Sequence, residues 1–420
     1  MKNVLLITPT GREYRELPPV ADRLGCRLVF EDFGGSYFDE QLSGRGGASL
    51  EIVPLIEETA RRHAGRIEGV TSGVGYPGMP AVAVISERLG LPGPRADAVL
   101  RCLHKYYGRV AQRELIPHAT PEFRLVDPRR PEELPAGLPL PFFLKPVQSC
   151  FSINARRVGT PREFREQVST GLLPAGFLKP LNDMIRAYTD FELDASYLIA
   201  ESLLGGVQVS LEGYVSRGRA RVMGVIDSVM YPGTNSFKRF EYPSRLPAGV
   251  LRRMEEAAVH LLEGVGYGDA LFNVEFMYTP GTGEIHVIEV NPKIASQFPD
   301  LFEKVDGVSS YGPLLQIALG EEPDFRRGAG EFRCAASCVM RLFEDRRVLS
   351  VPTPGQIEAL RRRFPDVRVE VTAAPGRLLS EGFQDGQSYR YAVVNLGADS
   401  WDQLDEKFDE CAAALPFGFG

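Results

Sequence analysis

The chain has 420 residues, of which 44% are hydrophobic and 25% charged, and its formal net charge is -7. This composition is typical of a globular chain of about three domains, and the negative charge without a long basic run argues against a nucleic-acid partner. The opening apolar run is too short for a signal peptide and no later segment reaches membrane-spanning length, so we expect a cytoplasmic protein without membrane contact.

The first hundred residues alternate between short apolar runs and helical patterns. Apolar runs at 4–7, at 27–30 and around Val70 predict buried strands. Helices are expected between them, the first beginning at Pro18. Because strands and helices alternate, we predict a doubly wound parallel domain over residues 1–100.

Two glycine-bearing loops, 8–11 and 72–75, follow the first and third predicted strands. Ligands bind at this edge of such sheets. Neither loop has the spacing of a dinucleotide-binding fingerprint, so turn formation is favoured over substrate contact, and the second interpretation stays open.

Two lysines come next in the chain. Lys105 follows a predicted helix over 96–103, where an exposed lysine that closes the helix is the simpler interpretation. Lys145 lies inside the apolar run 139–147, and a lysine in such a strand is costly unless an anion accompanies it. The sequence therefore predicts an anionic group beside Lys145.

A predicted strand ending near Glu201 is followed by a glycine pair and a second strand that carries Gln208. Glu212, on that second strand, is either a partner of a nearby site or a plain strand carboxylate. These polar residues indicate a binding site only when the next segment of the chain is considered with them.

Two apolar-rich runs flank a turn that contains proline and glycine: residues 271–278 and 285–290. They predict a β-hairpin. If Thr279 pairs with Ile285 across the turn, Glu275 lies directly opposite Glu289. Two like charges in an apolar sheet repel each other, so a cation is expected between them.

The polar face of this hairpin continues beyond the two glutamates. Asn291 shares a face with Glu289, because residues two apart on a strand point to the same side, and Lys293 follows. Two carboxylates and an amide carbonyl form a hard oxygen site that suits Mg²⁺, with phosphate oxygens and water at its other positions.

These segments resemble, in the expected order, the ATP-grasp superfamily. Its metal-binding pattern is a Glu followed by a Glu-x-Asn-x-Arg run, which Glu275, Glu289 and Asn291 match, with Lys293 where Arg is usual. The resemblance implies an α/β and α+β fold: a doubly wound N-terminal domain (1–100), an ATP-grasp N-lobe with the phosphate loop (101–200), a C-lobe with the metal site (201–325) and a small α+β C-terminal domain (326–420).

The resemblance also implies that ATP lies between the two lobes. The residues expected to bind it are Lys105 and Lys145 at the phosphates, Ser149 and Ser152 in the phosphate loop, Glu201, Leu203 and Leu204 at adenine, and Gln208 at ribose. The phosphate loop is usually rich in glycine, so hydroxyls are expected to donate here in place of close backbone N–H groups. Gln208 stands where a glutamate is usual.

The implied activity is ADP-forming ligation of a substrate carboxylate to an amine through an acyl phosphate, in small-molecule metabolism. On the same resemblance we expect a homodimer. Glu275, Glu289 and Asn291 would hold Mg²⁺, or Mn²⁺ in its place, and Asn291 and Lys293 are the expected catalytic residues, with Lys293 at the tetrahedral intermediate. Two alternatives remain open: a ligase with another nucleophile, and a nucleotide-binding protein without turnover, which the glycine-poor loop and Gln208 suggest.

Overall fold

A three-stranded parallel sheet begins the chain in the computed structural model, which describes residues 1–42, 50–149, 153–382 and 387–420. Its strands, in the order β2-β1-β3, and the helices that follow them are β1 (Lys2–Ile7), α1 (Gly11–Arg23), β2 (Cys26–Glu31), α2 (Gly35–Leu42), α3 (Ile52–His63), β3 (Gly69–Thr71) and α4 (Gly78–Leu89). The predicted parallel N-terminal fold is confirmed.

Helix α1 begins earlier than the sequence predicted. The Thr10 hydroxyl accepts a hydrogen bond from the Glu13 backbone N–H, and the Glu13 carboxylate accepts one from the Thr10 N–H at 2.7 Å. This reciprocal capping box fixes the start of the helix. Pro18 therefore lies inside α1, and the predicted start at Pro18 was wrong.

A four-stranded antiparallel sheet follows, in the order β4-β7-β5-β6. The elements of this part are α5 (Ala96–Leu103), α6 (Lys105–Leu115), β4 (Phe123–Val126), β5 (Phe142–Pro146), β6 (Arg156–Val158), α7 (Pro161–Thr170), α8 (Ala175–Tyr188) and β7 (Leu198–Ser202), with a short 3-10 helix at Pro117–Ala119. Lys105 begins α6, so the interpretation that it closes a helix was wrong. His104 separates the two helices with an extended backbone.

An eight-stranded antiparallel sheet carries the rest of the chain. Its elements and their neighbours are β8 (Val207–Ser216), β9 (Arg219–Met230), β10 (Phe237–Tyr242), α9 (Ala248–Gly264), β11 (Ala270–Thr279), β12 (Glu284–Asn291), α10 (Pro299–Asp306), α11 (Tyr311–Ala318), β13 (Cys334–Leu342), β14 (Val348–Ser350), α12 (Pro354–Arg363), β15 (Arg368–Val371), β16 (Tyr389–Ala398), α13 (Trp401–Ala413) and β17 (Gly418–Phe419). The strand order is β12-β11-β8-β9-β10-β13-β16-β15, and β14 pairs with β17. A second 3-10 helix is Leu379–Glu381.

The C-terminal strands continue the sheet that carries the hairpin. β13 pairs with β10 along four residue pairs, and β16 and β15 follow it at the sheet edge. The α+β character predicted for this part is found, although its strands extend the neighbouring sheet. The domain boundaries drawn from the sequence remain a prediction.

One hydrophobic cluster joins the three sheets. Among its buried members are Ile7 of β1, Ile199 of β7, Val209 of β8 and Phe272 of β11. This packing positions the carboxyl ends of the N-terminal strands beside the hairpin of β11 and β12. In the described part of the chain, no helix combines the length and apolarity that a membrane span requires.

Candidate active site

Strands β11 and β12 form the predicted hairpin and bring Glu275 directly opposite Glu289. The pairing beside the turn differs by one residue from the prediction, because Thr279 lies opposite Glu284. The ladder is irregular next to Glu275, where the extra residue of β12 is Ile288. This β-bulge compensates for the offset, so the two carboxylates still face each other.

A buried chain of charged groups holds the bulge. The Arg109 guanidinium on α6 donates from Nη2 to the Ile288 carbonyl at 2.7 Å and from Nε to Glu201 Oε1 at 2.8 Å. The other Glu201 oxygen accepts from Lys145 Nζ at 2.8 Å. The side chains of Lys145, Glu201 and Arg109 are all less than a tenth exposed, so strands β5 and β7 are tied to β12 through charge-assisted hydrogen bonds.

Nitrogen donors surround the two facing carboxylates. Asn291 Nδ2 lies 3.4 Å from Glu275 Oε1 and 3.3 Å from Glu289 Oε1, and Gln208 Nε2 donates to Glu275 Oε2 at 2.8 Å. Lys105 Nζ lies 3.5 Å from Glu289 Oε2. A half-turn of the Asn291 amide exchanges its nitrogen for its oxygen, so this side chain can also face a cation.

The two glutamates have opposite pKa shifts. Burial and the charge of Glu289 raise the pKa of Glu275 to about 8. Burial also acts to raise the pKa of Glu289, but the cations of Lys105 and Lys145 outweigh it and hold that pKa below its usual range. Near neutral pH the pair therefore retains one proton, in the place where a divalent cation could stabilise both negative charges.

The donor set fits a hard divalent cation. In the described residues no group of three or more His, Cys, Asp or Glu side chains is placed to hold a metal ion, so Glu275 and Glu289 would need further ligands. The Asn291 carbonyl, phosphate oxygens and water are ligands of the kind that Mg²⁺ takes. The residues fit the predicted Mg²⁺, with phosphate needed to complete its shell.

Lys293 connects the hairpin to the N-terminal sheet. Its Nζ donates to the Ile294 carbonyl at 3.2 Å, and its aliphatic chain passes Gly75, where an added Cβ would lie 3.4 Å from Lys293 Cδ. In the same loop, a Cβ at Gly73 would lie 1.9 Å from Glu13 Oε1. The loop 72–75 thus lies against Lys293 and the buried Glu13 of α1.

Glu212 holds the segment that follows Lys293. Its carboxylate accepts a hydrogen bond from the Ala295 N–H at 2.8 Å. Burial raises the pKa of Glu212 to about 8. Glu212 lies across from Asn273 of β11, which in turn lies across from Asn291 of β12. The polar face therefore runs over three strands and includes Glu212.

Of the residues predicted at adenine and ribose, Glu201 lies in β7, Leu203 and Leu204 lie in the connection that follows, and Gln208 lies in β8. The Leu203 side chain is 41% exposed in the connection between these strands, so it is available as an apolar wall. Gln208 contacts Glu275, and its contact with ribose stays a prediction. The Ser149 hydroxyl donates to the Ile153 carbonyl at 2.7 Å, and Ser152 lies outside the described residues.

Direct contacts bring most of the predicted residues together, in two groups. One group contains Lys105, Ser149, Gln208, Glu275, Glu289 and Asn291, and the other contains Lys145 and Glu201. The sequence reasoning missed Arg109, which joins the second group to β12, and Glu13. A signal for Arg109 exists, because Lys105, Arg109 and Gln112 recur at the spacing of one helix face.

A family model described as an ATP-grasp domain matches residues 138–298. Among curated proteins, the acetyl-CoA carboxylase of Schizosaccharomyces pombe is 35% identical over 171 residues, 39% of this chain and 7% of that protein. A mitochondrial acetyl-CoA carboxylase of Saccharomyces cerevisiae is 39% identical over 69 residues, 16% of this chain and 3% of that protein. The chain thus matches only a small part of the length of these relatives.

Three solved structures are similar over nearly the whole chain. An L-amino acid ligase from Bacillus licheniformis matches with a TM-score of 0.72 at 16% identity, and the match covers 100% of this chain and 99% of the ligase chain. A phosphoribosylglycinamide synthetase from Anaerococcus prevotii has a TM-score of 0.68 at 14% identity, with both chains covered to 100%. A biotin carboxylase from Campylobacter jejuni has a TM-score of 0.65 at 13% identity and covers 99% of this chain and 92% of its own. At these identities the likeness establishes the fold.

Proposed function

Because the chain belongs to the ATP-grasp superfamily, we propose that it is an ADP-forming ligase that activates a substrate carboxylate as an acyl phosphate and joins it to an amine. The observation that carries this proposal is the facing pair of Glu275 and Glu289 on two paired strands. Two carboxylates held together in a partly buried sheet are unfavourable without a cation, and such a site next to lysines suits Mg²⁺ and phosphate.

In this proposal Glu275, Glu289 and the Asn291 carbonyl hold Mg²⁺, which when bound neutralises charge on the phosphates of ATP. Lys105 and Lys145 bind the phosphates, and Ser149 and Ser152 donate hydroxyl hydrogen bonds to them. The backbone at Glu201, Leu203 and Leu204 receives adenine, and Gln208 reaches the ribose. Glu201 accepts a hydrogen bond from Lys145 at 2.8 Å and thereby positions the Lys145 ammonium group for this contact.

The chemical step follows from the positions of the lysines. A substrate carboxylate oxygen attacks the γ-phosphorus in line and displaces ADP, which gives the acyl phosphate. Lys105 and Lys145 orient the γ-phosphoryl group and stabilise its developing charge. The amine then attacks the acyl carbon. Lys293, which is fixed beside loop 72–75, stabilises the tetrahedral oxyanion before phosphate leaves. We further propose a cytoplasmic protein that acts on small molecules, in small-molecule metabolism and as a homodimer.

A second candidate is a carboxylase-like ligase in which bicarbonate is the activated carboxylate. Two observations favour this candidate: part of this chain is similar in sequence to acetyl-CoA carboxylases, and the fold is similar to that of a biotin carboxylase. A nucleotide-binding protein without turnover is the third. It is favoured by Gln208, which stands at the usual glutamate position and donates to Glu275.

One experiment separates the three. ADP and phosphate release are measured with ATP, Mg²⁺ and pairs drawn from a panel of amino acids, with bicarbonate in a parallel series and hydroxylamine as a surrogate amine. The amide ligase requires ADP release that depends on a carboxylate, together with a hydroxamate product. Release that depends on bicarbonate favours the carboxylase, and tight ATP binding without release under any condition favours the non-enzyme.

A further inference from the structure

A charged cleft lies between α1 and the C-terminal strands β15 and β16. Its volume is about 320 Å³, and five arginines and three glutamates line it. None of the residues proposed to bind the nucleotide or the metal is among its lining residues. This volume is at the lower end of the range for small-molecule sites, which is roughly 300–1,000 Å³.

The three glutamates of the cleft are already paired. Glu370 accepts a hydrogen bond from Arg12, and Glu303 lies 2.6 Å from Arg368. Glu16 lies 3.9 Å from Arg12 and 4.0 Å from Arg368. Arg12 and Arg368 join α1 to β15 and α10 through these contacts, and Arg15 lies 3.7 Å from Glu370. Five arginines against three glutamates leave the lining of the cleft with a formal excess of two positive charges.

Arg23 and Arg361 carry most of this excess. Both side chains belong to exposed residues in the last turns of α1 and α12, and both line the cleft. Within the described residues neither has a carboxylate oxygen within 4.0 Å. A cation in the last turn of a helix complements the helix dipole, which accounts for each arginine separately. It does not account for two such turns that face one cavity, where the like charges repel.

The wall of the cleft also contains unpaired polar atoms. Tyr311 is 1% exposed, and its hydroxyl has no hydrogen-bond partner among the described residues. Asn395, also in the wall, has a buried side-chain oxygen without a partner, and a half-turn of its amide would present the N–H₂ group instead. Buried polar groups normally find partners, so these two atoms can take a partner from outside the chain, a ligand or water.

We propose that this cleft binds a small polyanion that carries phosphate groups or several carboxylates. Arg23 and Arg361 are its charge partners, and the buried Tyr311 hydroxyl in the wall is a neutral donor. Arginine suits both kinds of anion because its planar group donates two parallel hydrogen bonds. This site is separate from the proposed ATP site and does not rest on the proposed ligase activity.

Calorimetric titration with pyrophosphate and with citrate tests the proposal and distinguishes the two kinds of anion. The proteins are the wild type, an Arg23→Ala/Arg361→Ala double variant and an Arg362→Ala control. Arg362 is exposed on the same helix as Arg361 but does not line the cleft. We expect at least ~10-fold weaker binding in the double variant and unchanged binding in the control.

A Lys145→Met variant, altered at the proposed ATP phosphates, should bind the probe as the wild type does. Tighter binding of pyrophosphate assigns a phosphorylated ligand, and tighter binding of citrate assigns a carboxylate ligand. Binding of both probes weaker than about 1 mM would overturn the proposal. It would also be overturned by binding that survives in the double variant or is lost only with Lys145→Met. Equal unfolding temperatures of all variants would exclude misfolding as the cause of a loss.

Discussion

Replacing Arg109 by methionine tests whether the buried charge chain positions β12. Arg109 is 2% exposed, and its guanidinium donates to Glu201 at 2.8 Å and to the Ile288 carbonyl at 2.7 Å. Methionine fills similar space without these donors. The change leaves the Glu201 carboxylate with Lys145 as its one remaining cation within 4.0 Å among the described residues, and it leaves the bulge carbonyl without its guanidinium donor.

The cost follows from burial. Removing one partner of a buried ion pair destabilises a protein by about 3–5 kcal/mol, because a charge remains in a poorly solvated place. Burial alone would raise the pKa of Glu201, but Arg109 and Lys145 hold it at about 2, below its unfolded value of about 4.5. A depressed carboxyl pKa stabilises the fold above the unfolded pKa, and this stabilisation is lost as pH falls through the folded pKa. Without Arg109 the loss should begin at a higher pH.

Urea unfolding of the metal-free protein at pH 7, and acid unfolding followed by circular dichroism, measure both effects. Arg113→Met is the matched control, since Arg113 is exposed on the same helix and its guanidinium lies 4.9 Å from the centroid of the Phe123 ring. We expect it to cost less than about 1 kcal/mol. Equal stabilities of the Arg109 and Arg113 variants, with the same acid midpoint, would refute the role given to the charge chain.

Three further predictions concern the candidate site. Glu275→Gln should stabilise the protein by about 1–3 kcal/mol at pH 7 in EDTA but not at pH 4. The reason is that the pKa of Glu275 is raised to about 8 in the folded protein, so its carboxyl destabilises the fold increasingly as pH rises above 4.5. Equal urea midpoints of variant and wild type at pH 7 would contradict this. Lys145→Met should weaken ADP binding by ~10-fold or more in calorimetry, and unchanged affinity would remove Lys145 from the phosphate site. Gly75→Val should displace Lys293 and lower turnover at least ~10-fold, whereas Gly281→Val, which has open space, should not.

Local patterns in the sequence were enough to predict the hairpin. Alternation places Glu275 on one face of β11, and the turn residues fix the approximate pairing with β12. The offset at Thr279 was not predicted, because no local pattern reports the bulge at Ile288, whose carbonyl accepts a hydrogen bond from the distant Arg109. The start of α1 did have a local signal, the capping box of Thr10 and Glu13, but the prolines were taken as the start instead.

The residues that sequence reasoning missed are joined by long-range contacts. Arg109 meets Glu201 from 92 residues away and Ile288 from 179 residues away, so no local spacing reports either contact. Its helix face did carry a signal, since Lys105, Arg109 and Gln112 are polar residues at the spacing of one helix face. The pairing of β13 with β10 was also hidden, because strand patterns predict strands but not their neighbours.

ATP turnover by Glu289→Gln tests most directly whether Glu275 and Glu289 hold a divalent cation against ATP. Glutamine keeps the shape of the side chain and removes its charge. We predict at least a ~100-fold loss of Mg²⁺-dependent ADP release at unchanged fold. Glu284→Gln, at an exposed position of the same strand, should keep wild-type turnover. Wild-type turnover by Glu289→Gln would contradict the claim.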